Sequence, residues 1–360
     1  MDEQNIIATL RLIRSENIGP RTFYSLVRKF GTAQNALDAL PDVASKGGKK
    51  AVRICSQKDA ESEFYASKKL GISALIHNDA AYPELLKQTY DAPPLIFYKG
   101  NIKLAARKQI GIVGTRNASA NGCAMARRLA AELGEAGYVV TSGLARGIDT
   151  HAHKATLGTG TIAVVANGLD SVYPPENEKL FEQVAEQGLI LTENPIGTTP
   201  QSRHFPQRNR VIAGLSLGVL VVEAATRSGS LITADYAARE GREIFAVPGS
   251  PLDPRCSGTN FLLKNGAVLV ESARDIIDNL SREIQPKLFE VEDEYEEEII
   301  FEETNLREEI FAKLSVSPVN IDELAQQTDA PIRLVNEVLL ELEIAGKLER
   351  SWGNKVRLLA

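Results

Sequence analysis

The chain has 360 residues, 43% hydrophobic and 24% charged, enough for a large core and for two or three domains. No run approaches the roughly 18 apolar residues of a membrane span, and the opening MDEQNIIATL is acidic where a secretory signal is basic, so a cytoplasmic protein is expected. The net charge of −6 argues at first against a nucleic-acid partner, but nine acidic residues and no basic ones fall between Glu290 and Glu303; outside that stretch 41 basic residues face 38 acidic ones.

Residues 1–75 are expected to form a small helical domain. Ile6, Leu10 and Ile13 have helical spacing before the turn Asn17-Ile18-Gly19-Pro20, and Phe30-Gly31-Thr32 reads as a stop followed by a cap. Two helices around a Gly-Pro turn are reminiscent of helix-hairpin-helix modules, whose glycine amides touch a DNA backbone. With only one such hairpin visible, a packing domain is the preferred reading. Cys55, Cys123 and Cys256 are odd in number and outside any CxxC spacing, so neither a disulfide framework nor a thiolate zinc site is expected, and the three read as small buried hydrophobes.

From 76 to 283 a doubly wound, mostly parallel, Rossmann-like α/β domain is expected. Leu95 to Tyr98 suggests an extra strand, and Ile110 to Gly114 is an apolar run ending in glycine, with Thr115, Arg116 and Asn117 before a helix near Ala118. This order reads as strand, phosphate-facing loop, helix. Tyr138 to Val140, the small-residue loop Thr141-Ser142-Gly143 and a helix from Gly147 to Ala155 repeat it. Further strands are expected at 162–166, 189–192, 219–223, 243–247 and 268–270. Both loops then open at the carboxyl edge of one sheet, where ligands bind in such folds.

The acidic block, within 284–304, reads as a solvated linker. Residues 305–360 read as three helices and a β-hairpin, a winged-helix domain whose third helix, from Pro331 to Ala345, is the reader if it sits in a major groove. That helix offers Arg333 and Asn336 but also Glu337, Glu341 and Glu343, which favours a protein-contact or auxiliary role.

Motifs at the sheet edge exclude several ligands. There is no G-x-G-x-x-G with a carboxylate after the second strand and no G-x-x-x-x-G-K-[ST], so neither a nicotinamide cofactor nor a Walker-type nucleotide is expected. Gly214-Leu215-Ser216-Leu217-Gly218 matches a nucleophile elbow in letters only, because it precedes a strand. Asp149-x-His151-x-His153 places its histidines two apart on a helix, on different faces, and no metal is expected.

The strongest chemistry is RHFPQRNR, Arg203 to Arg210. Three guanidiniums, an amide and the Phe205 ring have the composition that grips phosphates while stacking a base. Arg203, Phe205, Arg208, Asn209 and Arg210 are therefore candidates, with at least one of Arg208 and Arg210 expected to pair with Glu193 or Glu223. Gly114, Thr115, Arg116, Ser142 and Gly143 join them from the two loops, and Arg227, before Ser228-Gly229-Ser230, marks another helix start suited to an anion.

The segments Val113 to Arg116, Ser142 to Asp149, Phe205 to Arg210, Ser228 to Thr233 and Val247 to Ser250 together closely resemble the DNA-processing protein A (DprA/Smf) family, and the helical start and winged-helix end are similar to those of its longer members. The resemblance implies a non-enzymatic, cofactor-free homodimer, joined through the Rossmann-like domain, that binds single-stranded DNA, protects it and loads the RecA recombinase in natural transformation and homologous recombination. It implies a DNA pocket including Arg116, Ser142, Gly143, Phe205 and Arg208. Where the family often carries lysine this chain has Ser202, with Arg203 the candidate substitute, and Pro175-Glu176 stands where a basic residue is common. An enzymatic alternative is a Rossmann-like nucleoside monophosphate hydrolase using Arg208 and Glu223, but its P-G-G-x-G-T signature is absent, since Pro248-Gly249-Ser250 does not continue it.

Overall fold

The computed structural model describes residues 3–49, 51–282, 303–351 and 353–359. They fall into two compact units, one within Ser62–Pro286 and one joining Asp2–Glu61 to Lys287–Ala360. The acidic linker expected from the sequence lies mostly outside the described residues.

The chain begins with α1 (Glu3–Ile13), α2 (Pro20–Phe30), α3 (Ala33–Lys46) and α4 (Gln57–Lys69). Pro20 opens α2 at a position that has no use for an amide hydrogen, Gly31 closes it, and the Thr32 hydroxyl accepts from the Asn35 amide to start α3.

The sheet unit continues with β1 (Ser73–Ile76), α5 (Glu84–Lys87), β2 (Leu95–Gly100), β3 (Gln109–Val113), α6 (Ala120–Glu135), β4 (Val139–Ser142) and α7 (Ile148–Thr156). Then come β5 (Thr161–Val164), α8 (Glu178–Gln187), β6 (Leu189–Thr192), α9 (His204–Leu215), β7 (Gly218–Val221), α10 (Gly229–Arg239), β8 (Glu243–Ala246), α11 (Ser257–Lys264), β9 (Val268–Leu269) and α12 (Ala273–Arg282). The nine strands lie in the order β1-β2-β6-β5-β4-β3-β7-β8-β9. From β6 to β9 neighbours are parallel, while β1 and β2 form an antiparallel flank.

The mostly parallel Rossmann-like sheet is as expected, with two differences. Ser73–Ile76, at the end of the stretch expected to be helical, is a strand, because it pairs along β2 with Leu75 opposite Ile96. Thr141 and Ser142 belong to β4 rather than to a loop, opposite Gly111 and Ala163 respectively.

Alternation along the strands builds a core on each face. Val113, Val139, Val164 and Val219 pack with Val211, Ile212 and Ala234 on one side. Ile112, Val140 and Leu220 pack with Leu129, Ile148 and Ala152 on the other. Each fully buried Leu, Ile or Val contributes about 1.5–3 kcal/mol of transfer free energy. The chain runs outward from β3 to β6, then returns through α9 to place β7 on the other side of β3. The crevice at that reversal is the usual ligand position in such sheets, and α9 starts beside it.

In the second unit α13 (Glu303–Lys313), β10 (Val319–Asn320), α14 (Ile321–Thr328), α15 (Ile332–Ile344), β11 (Leu348–Ser351) and β12 (Lys355–Leu358) form the winged-helix arrangement, with strand order β10-β12-β11. Its third helix, α15, is covered on two sides. Val335, Leu339 and Leu342 face the winged-helix core, while Leu340 and Ile344 join Leu26, Leu37 and Leu40 of the N-terminal helices. The Asn17 amide donates to the Ile344 carbonyl at 3.0 Å, Lys29 pairs with Glu337 at 3.4 Å, and a Cβ on Gly47 would overlap the Glu341 carbonyl. Along α15 only Arg333 is exposed, so the helix contacts this chain's own N-terminal helices and is not open for groove reading.

Candidate nucleic-acid interface

The turn after β4 is held from below by the helix it leads into. Asp149, in the first turn of α7, accepts from the amides of Gly143 at 3.1 Å and Ala145 at 3.3 Å. Leu144 takes a left-handed φ of 56°, and its amide donates to His153 Nε2 at 3.3 Å. That leaves Nδ1 as the protonated nitrogen, donating to Thr161 Oγ1 at 2.7 Å, a tautomer assigned from the network. The Asn177 amide donates to the carbonyls of Leu144 and Ala145 from the far side. Gly147 has a φ of 77° and lies against the backbone of Thr115 and Arg116, so only glycine fits where the two loops touch.

These bonds give Asp149 and His153 structural roles in this turn. Burial, then the charge of Arg208, lowers the His153 pKa to about 3, so the ring is neutral. Burial raises Asp149, against the pull of Arg208 and the two amides. No cluster of metal-ligating side chains occurs among the described residues.

Arg208 lies beneath this turn with only 6% of its surface exposed. Its Nη1 donates to the Val164 carbonyl at 2.8 Å, and its buried Nε has no hydrogen-bond partner. Burial lowers its pKa to about 10, partly offset by Asp149, and it remains charged at neutral pH. Gly143 is glycine for a steric reason, since a Cβ there would overlap the guanidinium.

The next two candidates face elsewhere, because successive helical residues project about 100° apart. Asn209 donates to the Gly229 carbonyl and ties α9 to the start of α10. Arg210 pairs with Glu193 and, at 3.5 Å, with Asp91, burying its charge among carboxylates. It is an internal ion pair, not a group offered to a ligand.

A cavity of about 170 Å³ opens at this edge, lined among others by Arg116, Gly143, Arg146, Tyr173, Phe205 and Arg208. The exposed Arg116 guanidinium carbon is 5.0 Å from the Phe205 ring centroid, a cation–π distance. The Phe205 and Tyr173 rings follow at 5.9 Å with a 56° tilt. One cation and two rings thus follow one another in the cavity lining, which also includes the buried Arg208. Arg146 and Tyr173 were missed as site residues in the sequence; Arg146 stands inside the Ser142 to Asp149 motif, and Tyr173 begins a Tyr-Pro pair.

The other candidates do not line this cavity. Ser142 is buried, its hydroxyl donating to the Ile112 carbonyl at 2.6 Å. Gly114 packs on Ile148, and the Thr115 amide donates to the Glu223 carbonyl at 2.7 Å. Arg203 is exposed at the start of α9, and Arg227 is exposed in the turn before α10.

The loop after β3 also differs from the phosphate-facing reading. The Glu223 carboxylate occupies the N-terminus of α6, accepting from the Ser119 amide at 2.9 Å and from its hydroxyl, beside Gly122. A carboxylate from the end of β7 thereby fills the place an anion would take. Glu223 does not line the cavity that Arg208 lines, so the arginine–glutamate pair of the hydrolase alternative is not assembled there. Ser216 of the elbow-like sequence is buried, donating to the Ile212 carbonyl. The three cysteines, expected to be buried, are half-buried.

Comparison with known proteins agrees with this architecture. The family model for DNA recombination-mediator protein A matches residues 73–281, a DprA-like N-terminal HHH domain matches 3–66, and a DprA winged helix domain matches 297–354. DNA processing protein DprA of Bacillus subtilis (strain 168) is 39% identical over 267 residues, covering 71% of this chain and 90% of the relative. Protein Smf of Escherichia coli (strain K12) is 38% identical over 286 residues, covering 77% and 75%. The crystal structure of DprA from Streptococcus pneumoniae aligns with a TM-score of 0.64 at 36% identity, covering 76% of this chain and 97% of that one. DprA from Helicobacter pylori, whose structure was described for its single-stranded DNA binding mode, aligns with a TM-score of 0.54 at 30% identity over 59% and 96%. With its central domain, both flanking modules and these relatives in agreement, the chain belongs to the DNA recombination-mediator protein A family.

Proposed function

We propose that the cavity between the loops after β3 and β4 and the start of α9 receives single-stranded DNA. The observation that carries this reading is the row of Arg116, Phe205 and Tyr173 in the cavity lining, a cation followed by two rings. Guanidiniums neutralise phosphates, while ring faces stack unpaired bases without regard to sequence. A duplex keeps its base faces covered and gains only the electrostatic part. The single-stranded DNA binding described for the Helicobacter pylori relative supports the same reading.

The wider role that fits is non-enzymatic and cytoplasmic: protection of incoming DNA and loading of the RecA recombinase onto it, in natural transformation and recombination. In a homodimer two such cavities would hold one strand. The free edge at β9, with exposed Leu269, and the exposed Leu252 and Phe261 just before it are consistent with a subunit contact in this unit.

The test is a band shift with labelled single-stranded and duplex DNA of the same sequence, followed by addition of RecA. Preferential retardation of the single strand and faster RecA filament formation are expected. Equal retardation of both forms overturns the reading.

A further inference from the structure

We propose that Glu176 is an internal competitor for the strand's phosphates: it holds Arg146 at the cavity mouth, and a backbone phosphate must displace it to gain that guanidinium. This rests on the cavity being the strand's binding place.

Arg146 and Glu176 both line the cavity, and their charged groups meet at 3.5 Å. They come from different elements, Arg146 from the turn after β4 and Glu176 from the 3-10 turn Pro175–Asn177 before α8. Neither backbone is free to wander. The next residue, Asn177, is buried and donates to the carbonyls of Leu144 and Ala145 and to the Thr150 hydroxyl. The segment bearing the carboxylate is therefore fastened to the turn bearing the guanidinium, which keeps the two side chains within reach of each other.

Both side chains are more than half exposed, at 56% and 59%. An exposed pair of this kind is weak and yields to a better partner. A phosphate oxygen is such a partner, since it accepts the same guanidinium hydrogens that the carboxylate accepts. Once displaced, Glu176 remains a like charge at the mouth, a penalty that salt screens. The carboxylate thus lowers affinity twice, by occupying Arg146 and by repelling the strand. The aromatic wall is untouched, so base stacking is the same with or without the carboxylate.

The experiment titrates a labelled oligothymidylate with the full chain, with Glu176→Gln, with Arg146→Ala and with both changes together, at low and at high salt. Glu176→Gln is expected to tighten binding by roughly three- to tenfold at low salt, with the gain shrinking as salt rises. The gain is expected to be clearly smaller in the Arg146→Ala background, where only the repulsion of the strand remains, because the competition runs through Arg146. No gain from Glu176→Gln, or an equal gain with and without Arg146, overturns the proposal. If the unaltered chain fails to bind the oligonucleotide, the reading of the cavity falls and this proposal with it; binding that is indifferent to Glu176 sinks this proposal alone.

Discussion

The Arg116 guanidinium lies over the Phe205 ring at 5.0 Å, although one residue belongs to the loop after β3 and the other to the first turn of α9. The pairing places a charge directly beside an aromatic ring in the cavity lining. Phe205→Ala is expected to weaken single-strand binding by about 1–3 kcal/mol. Arg116→Ala is expected to reduce the slope of log affinity against log salt by about one phosphate contact. Titrations across a salt series separate the two; an unchanged slope with Arg116→Ala removes that arginine from the interface.

Gly143 leaves no room for a methyl group against Arg208. Gly143→Ala is expected to shift the guanidinium or the turn, with about 1–3 kcal/mol lost from stability and a clear loss of single-strand affinity. Denaturant unfolding and DNA titration on the same preparation check this. Arg208 itself is buried, donates to the Val164 carbonyl and acts electrostatically on Asp149, so Arg208→Ala is expected first to destabilise the sheet unit.

His153 gives the sheet unit an acid-sensitive element. Its folded pKa of about 3 lies below the ordinary value of 6.5, so the unfolded chain binds the proton more readily. Its stabilising contribution is complete above pH 6.5 and is lost as pH falls toward 3. Asp149, raised by burial, works in the opposite sense, its contribution fading as pH rises through its folded pKa. His153→Gln is expected to be less stable than the unaltered chain at pH 7, with the difference shrinking by on the order of 3 kcal/mol at pH 4. Unfolding followed by circular dichroism across that range checks it; a constant difference contradicts a neutral buried ring.

Gly47 permits α3 to approach α15, since a side chain would strike the Glu341 carbonyl. Gly47→Ala is expected to loosen this contact and speed hydrogen exchange along α15. Gly19→Ala is the matched control, because nothing lies within 4 Å of the position its Cβ would take. Equal exchange in both variants removes Gly47 from the contact.

Much of the fold could be read locally. The β3 and β7 runs are apolar and bounded by glycine or small residues, and Gly31 and Thr32 punctuate helices by rules that act over a few residues. Ser73–Ile76 was misread because a short apolar piece becomes a strand only through a partner, here β2, that lies further along the chain.

The site was legible in composition but not in its wiring. RHFPQRNR announces phosphate and ring chemistry, yet its residues divide among a cavity wall, an internal anchor, a helix tie and an ion pair, because each step around α9 points a side chain in a new direction. The sequence alone determined the layer architecture and the kinds of chemistry present, since periodicity and turn residues express forces acting between near neighbours. Only the tertiary structure decided which charges are spent inside and which face the cavity. The pairing of Arg210 with Glu193 was among those expected from the sequence, but Glu223 at the start of α6 and Glu176 against Arg146 are meetings of distant segments, and whether a charge is internally neutralised depends on what the fold places beside it.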